Sequence, residues 1–159
     1  MEDIPELSRG HFFELGVEGS LPTKVLSAPF SLEGWVIWLG GSGSLLRDDA
    51  GDGPVSLGHD HDGMLAWSVG SGSASTARSI ASLGDEWHHF VVACGAEWSH
   101  FYVDGDEVGT IEMNEPALAP PLVLMRGVEG FVADVAVYAE MLTAQRVRRH
   151  WEAGRARTI

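Results

Sequence analysis

Gly84-Asp85-Glu86-Trp87-His88-His89-Phe90-Val91 and, after a gap of hairpin length, Phe101-Tyr102-Val103-Asp104-Gly105 are the stretches that decide how this chain folds. Both hold short apolar runs rich in aromatic and β-branched residues, and the second ends on Asp-Gly. That dipeptide takes positive φ at both central positions of a type I′ turn, so Phe101-Tyr102-Val103 and Val108-Gly109-Thr110 are predicted to pair as a tight hairpin. Outward from this hairpin, short apolar or alternating segments recur between turns rich in glycine and aspartate, which is the rhythm of a sandwich or barrel. The predicted strands are His11 to Val17, Phe30 to Leu39, Ser44 to Arg47, Val55 to Gly58, Met64 to Val69, Ala77 to Ala81, His88 to Cys94, His100 to Val103, Glu107 to Ile111, Leu122 to Met125 and Gly130 to Tyr138. One helix closes the chain, with Thr143 as N-cap, Val147 and Trp151 as an apolar i, i+4 stripe and Gly154 as the stop.

Composition sets the limits of function. A chain of 159 residues with 45% hydrophobic content, 20 glycines and six tryptophans has the material for one packed core with many turns. The formal net charge of −13 argues against nucleic acid, because phosphates are bound by clustered Lys and Arg. The basic residues that do cluster, Arg146, Arg148, Arg149, Arg155 and Arg157, fall at the end of the predicted helix, where the dipole favours cations; a docking surface for an acidic partner is the other reading. Cys94 stands alone in the run Phe90-Val91-Val92-Ala93-Cys94, so it is expected as a buried small hydrophobe without an intrachain disulfide. The acidic start Met1-Glu2-Asp3-Ile4-Pro5-Glu6 has no signal-peptide pattern, and no apolar run approaches the ~20 residues that span a bilayer, so no membrane insertion is expected.

Three stretches, in order, resemble the laminin-G-like jelly-roll family of the concanavalin A-like lectins and glucanases. They are Phe30-Ser31-Leu32-Glu33-Gly34-Trp35-Val36, the Trp87-His88-His89-Phe90-Val91 and Phe101-Tyr102-Val103-Asp104-Gly105 pair, and Gly130 to Tyr138 with Leu142-Thr143-Ala144-Gln145-Arg146-Val147. The resemblance covers Ser27 to Gly154, with residues 1–26 as a lead that includes the first strands and residues 155–159 as a tail. It implies an all-β, two-sheet antiparallel jelly-roll sandwich with one short C-terminal helix. Trp35, Trp87 and Tyr138 are expected in the core. His88 and His89 point to opposite sides of one strand and are expected as hydrogen-bonded structural residues.

Catalytic relatives in that superfamily carry acidic residues at alternate positions of one strand, E-x-D-x-E, and no such strand exists here. No serine-hydrolase or Cys-His motif is present either, so the chain is expected not to be an enzyme. The glycine runs Gly40-Gly41-Ser42-Gly43 and Gly70-Ser71-Gly72-Ser73 lack the sequel of a phosphate loop and read as flexible strand connections. For sugar stacking the candidates are Trp98, Trp67 and Trp38, with Trp98 expected in an exposed hairpin turn and the other two in strand patterns that favour burial. For a metal the candidates are His59, Asp60, His61 and Asp62 in one loop and Asp48, Asp49 and Asp52 in another. The family resemblance makes calcium the ion to expect there, though a solvated turn is the simpler reading and no cofactor is required.

These features point to a non-catalytic recognition or attachment module. The first expectation is an adhesive or structural subunit of a larger assembly, such as a virion decoration or minor tail protein, acting at a virion or cell exterior without its own signal peptide. Phe12 and Phe13 or the terminal helix would then dock on the protein partner. The alternative is a free lectin for a cell-surface glycan, and the remote alternative is a glycoside hydrolase. A homo-oligomer is compatible with exposed sheet edges.

Overall fold

In the computed structural model of the chain, the described residues are 19–21, 26–48, 56–59, 62–69, 72–79, 83, 86–112, 117–118 and 122–156. The elements run β1 (Gly19–Leu21), β2 (Leu26–Ser27), β3 (Phe30–Asp48), β4 (Ser56–His59), β5 (Met64–Val69), β6 (Gly72–Ser79), β7 (His88–Cys94), β8 (Trp98–Val103), β9 (Asp106–Glu112), β10 (Ala117–Leu118), β11 (Leu122–Tyr138) and α1 (Ala144–Arg155). The predicted strand His11 to Val17 and the Phe12 and Phe13 patch lie outside the described residues.

Nine strands form one curled sheet in the order β6-β5-β4-β3-β7-β8-β9, with β11 on the other side of β3 and β1 beyond it; β2 and β10 make a separate pair. Two long strands turn this sheet into a sandwich. The first half of β3 lies between β7 and the second half of β11, while its second half lies between β4 and the first half of β11. One layer is therefore β9-β8-β7-β3-β11 and the other β6-β5-β4-β3-β11-β1. Every sheet pairing is antiparallel, as the jelly-roll reading expects.

The bend itself corrects the sequence reading. Gly40-Gly41-Ser42-Gly43 is not a flexible connection; it is the interior of β3, and the predicted strands on either side of it are one. The glycines are needed because β11 comes so close: a Cβ on Gly41 would lie 2.2 Å from the Gly127 carbonyl oxygen, and one on Gly43 would lie 1.7 Å from that of Arg126. Gly41 and Gly127 also take φ of 95° and 68°, open to glycine at little cost. Likewise Leu122 to Met125 and Gly130 to Tyr138 fuse into β11. In the second glycine run, Gly72 pairs with Val69, so β6 starts at Gly72 instead of Ala77.

Between the layers sits the main core, with Phe30, Leu32, Val36 and Trp38 of β3, Phe90, Val92 and Cys94 of β7, and Phe101 and Val103 of β8 facing Leu45, Leu46, Leu57, Leu65 and Trp67. Burial pushes the Cys94 thiol up to about 12 against the opposing hydrogen bond of Ser99, which keeps it protonated and inert. The predicted hairpin forms on Asp104 and Gly105, with φ of 50° and 82°. Asp104 also closes the turn through its side chain: Oδ1 accepts from the His89 amide at 3.0 Å and Oδ2 faces His88 Nδ1 at 2.7 Å. The other His88 nitrogen meets the Leu83 carbonyl at 2.6 Å, so both ring nitrogens face acceptors and the residue is structural, as expected.

On the outside of the first layer lies α1. Thr143 caps it by accepting from the Arg146 amide at 3.3 Å, and Val147 packs with Leu142 on Val91, Ala93, Tyr102 and Tyr138. Gly154 is not the stop. The helix runs through it to Arg155, and a Cβ there would sit 2.3 Å from the Trp35 ring, so the glycine is where helix and sheet touch. No described helix is long and apolar enough to cross a membrane.

Candidate functional site

Strand alternation places a polar set on the outer face of each layer. On the helix-covered layer, Phe30, Leu32 and Val36 of β3 enter the core, which leaves Ser31, Glu33 and Trp35 beneath α1. Glu33 is 3% exposed. Its carboxylate accepts from Tyr138 Oη, from His150 Nδ1 at 2.9 Å and from His89 Nε2 at 3.3 Å. Burial alone would raise its pKa, but the hydrogen bonds from His150 and His89 outweigh that and hold it down at about 2. The Tyr138 hydroxyl, buried beside this anion, is pushed well above its usual range. Ser31 is satisfied as well: its hydroxyl donates to the Glu140 carbonyl at 2.8 Å and accepts from the Leu142 amide at 2.9 Å. The cluster lies beneath α1, and its groups pair with one another except at His89 Nδ1, so it fastens the helix to the sheet.

The other layer carries an open depression of about 280 Å³. Its lining comes from four strands: Gly43, Ser44 and Arg47 of β3, Ser56, Gly58 and His59 of β4, Ala66 and Ser68 of β5, and Arg126 of β11. The register explains the convergence. Leu46 pairs with Leu57 and Leu57 with Trp67, all in the core, so Arg47 opposite Ser56 and Ser56 opposite Ser68 share the outer face. Gly58 and Ala66 face each other on that side and keep the floor low. Arg126 enters from β11 opposite Ser44. This lining offers two guanidiniums, three hydroxyls and the His59 ring over small residues, an arrangement that can bind a polar ligand.

The tryptophan candidates separate. Trp98 is 44% exposed, as expected, although it is the first residue of β8 and not part of the turn before it. Trp38 and Trp67 are core residues at 3% and 1% exposure, which corrects their candidacy as stacking platforms: their ring faces are covered by other side chains. The His59 ring stands edge-on to Trp38 with centroids 6.1 Å apart. Among the described residues no three His, Cys, Asp or Glu side chains group in a way that would hold a metal ion. Asp62 is exposed in a turn, Asp48 ends β3, and Asp49, Asp52, Asp60 and His61 lie outside the described residues. The basic residues of α1 are engaged locally: Arg148 meets Asp106 at 2.9 Å, and Arg148 and Arg155 lie 5.3 and 5.2 Å from the Trp151 ring centroid.

Sequence reasoning missed both polar sets. A signal for Glu33 existed, because it is the one acidic residue in the apolar run Phe30 to Leu39. For the groove there was only the alternation Ser56-Leu57-Gly58 and Ala66-Trp67-Ser68, which marks an outward polar face without saying that four strands meet there.

The fold agrees with known proteins. A laminin-G-like family model described as the concanavalin A-like lectin/glucanases superfamily matches residues 17–148, and the chain belongs to that superfamily. No curated protein matches it significantly by sequence. Similar solved structures include a native heptameric SAP-like pentraxin from Limulus polyphemus, at 12% identity and TM-score 0.64 over 90% of this chain and 82% of that one. The binding domain of Paraclostridial Mosquitocidal Protein 1 follows at 11% identity and TM-score 0.60, over 90% of this chain and 47% of that one. A botulinum neurotoxin type C structure, titled for cell entry dependent on two ganglioside molecules, gives 12% and 0.64 over 91% and 46%. This chain thus spans less than half of each toxin chain. The shared feature is a lectin-like fold.

Proposed function

We propose that this chain is a non-catalytic recognition module that binds a saccharide in the groove formed by β3, β4, β5 and β11. The observation that carries this reading is the lining itself, in which Ser44, Ser56 and Ser68 and the arginines Arg47 and Arg126 surround a low floor of Gly43, Gly58 and Ala66. Sugar hydroxyls need such donors and acceptors, and a flat floor admits the ring. The lectin-like fold and the ganglioside dependence named for one toxin of similar fold support it. Catalysis is not part of the proposal. Glu33, the carboxylate buried deepest, is sealed under α1 and ionised at neutral pH, which unfits it as a proton donor.

A module of this kind acts where glycans are displayed, at a cell or particle exterior. The narrower expectation of a virion decoration or tail subunit has no residue in the groove to carry it and does not enter the proposal. Binding of the purified chain to a broad glycan panel, once with calcium and once with chelator, tests the reading. We expect binding that is indifferent to calcium and is lost in Gly58→Gln, where the new side chain enters the groove without backbone strain. Loss of binding in Trp98→Ala with Gly58→Gln unaffected would move the site to the β7–β8 hairpin and refute the groove.

A further inference from the structure

Resting on that saccharide reading, we infer that the groove selects an acidic sugar: one ring bearing a carboxylate or sulfate, held between Arg47 and Arg126.

The first ground is charge placement. The chain carries ten Lys and Arg against 23 Asp and Glu, and five of those cations fall within residues 146–157, four of them on α1. Of the remaining five, two line this single depression. A guanidinium presents five N–H donors in a planar fork, more than any one neighbouring carboxylate takes up, so each arginine keeps capacity for an incoming anion.

The second ground is geometry. Arg126 is opposite Ser44 on the adjacent strand, and Arg47 lies three positions further along β3, so the two side chains start roughly 10 Å apart along the strand direction. Both side chains line the same depression, and both are half-buried. Partial removal from water strengthens their pull on a charge relative to a fully solvated pair. The hydroxyls of Ser56 and Ser68 stand side by side across β4 and β5, ready for the ring hydroxyls while the arginines take the acid.

The third ground is size and surroundings. At about 280 Å³ the depression is at the small end of ligand sites, which run from about 300 to 1,000 Å³, so it takes a single ring and not a chain. Around it the protein has a net charge of −13, which repels a dense polyanion as it approaches. The combination favours an isolated acidic residue on an otherwise neutral glycan over a heparin-like polymer.

The experiment titrates the unmodified chain, in chelator, with the methyl glycoside of a uronic acid, with a sulfated methyl hexoside and with the matching neutral hexoside, reading amide and side-chain NMR shifts. At least one acidic sugar is expected to bind about tenfold or more tighter than the neutral one, as charge-assisted hydrogen bonds imply. Arg126→Gln and Arg47→Gln should each erase that preference with the melting temperature unchanged, Arg126→Lys should retain much of it, and heparin should bind no better than the single ring. If acidic and neutral sugars bind alike and Gly58→Gln abolishes both, the saccharide site stands and the acidic preference is overturned. If no sugar of any kind binds, both readings fall.

Discussion

Beneath α1, His89, His150 and Tyr138 converge on Glu33; on the opposite outer face, Arg47, Arg126 and three serines stand around an open groove. Both sets arise in the same way, from the outward phase of strands whose inward phase is the core. Both include a residue of β3, whose first half lies under the helix and whose second half lines the groove. What separates them is the cover. On one side the chain supplies its own lid, so the polar groups are largely removed from water and pair within the protein. On the other no described element covers the face, and its groups stay open to water and to a ligand. A polar cluster on a sheet is therefore structural or functional according to whether the chain closes over it, and substitutions on the two faces should report on different things.

The largest effect is expected at Glu33. Replacing it with alanine leaves buried His89, part-buried His150 and a buried phenol without their acceptor, and loss of one member of a buried charged network typically costs about 3–5 kcal/mol. Urea unfolding should show this as a large drop in midpoint, and a loss under about 1 kcal/mol would mean that water reaches the cluster. The same group sets the acid limit. Its pKa falls from an ordinary 4.5 to about 2 on folding, so the stabilisation is complete above 4.5 and fades as pH drops through that window toward 2. The total is about 3 kcal/mol. Unfolding measured at pH 6 and pH 3 should separate accordingly in the native chain, and the Glu33→Gln variant should lose that part of the slope.

Next comes the contact that seats the lid. In an exposed helix, Gly154→Ala would gain about 1 kcal/mol from propensity. Here the added Cβ would meet the Trp35 ring at 2.3 Å, and overpacking of this kind costs about 1–3 kcal/mol, so a net loss is expected. A stabilised variant would show that helix and sheet are not in tight contact, and with it the claim of a closed face would fail.

The sequence was most legible where the physics is local. Short apolar runs marked β5 and β7 to the residue, and Asp104-Gly105 marked its turn because the φ values it needs are a property of those two residues alone. The helix start was legible through Thr143 for the same reason. Gly40 to Gly43 misled, because the demand for glycine came from the carbonyls of β11, far along the chain, and a glycine run has the same composition whether it is a hinge or a bend under close approach. Gly154 misled likewise, since Trp35 alone decides its role. The site was least legible. Glu33 meets a histidine 117 positions away, and the groove draws its lining from four strands, none of which carries a motif by itself.

The finest test of the two-face comparison uses the same substitution on each side. Ser31→Ala removes a hydroxyl that bridges the Glu140 carbonyl and the Leu142 amide in a buried site, leaving both backbone groups unpaired. An unsatisfied buried group costs about 1–3 kcal/mol, so this variant should unfold at measurably lower urea while binding whatever the groove binds as well as the parent does. Ser68→Ala removes a half-buried hydroxyl that lines the groove, where water replaces the lost group in the empty state. Its stability should stay within about 0.5 kcal/mol of the parent, while saccharide affinity falls severalfold. The pair is diagnostic because chemistry and residue type are held constant and only the cover differs. Equal stability losses at both positions would mean that the groove is as much a part of the folded scaffold as the cluster under α1, and that recognition must be sought elsewhere on the surface, with exposed Trp98 as the next place to look.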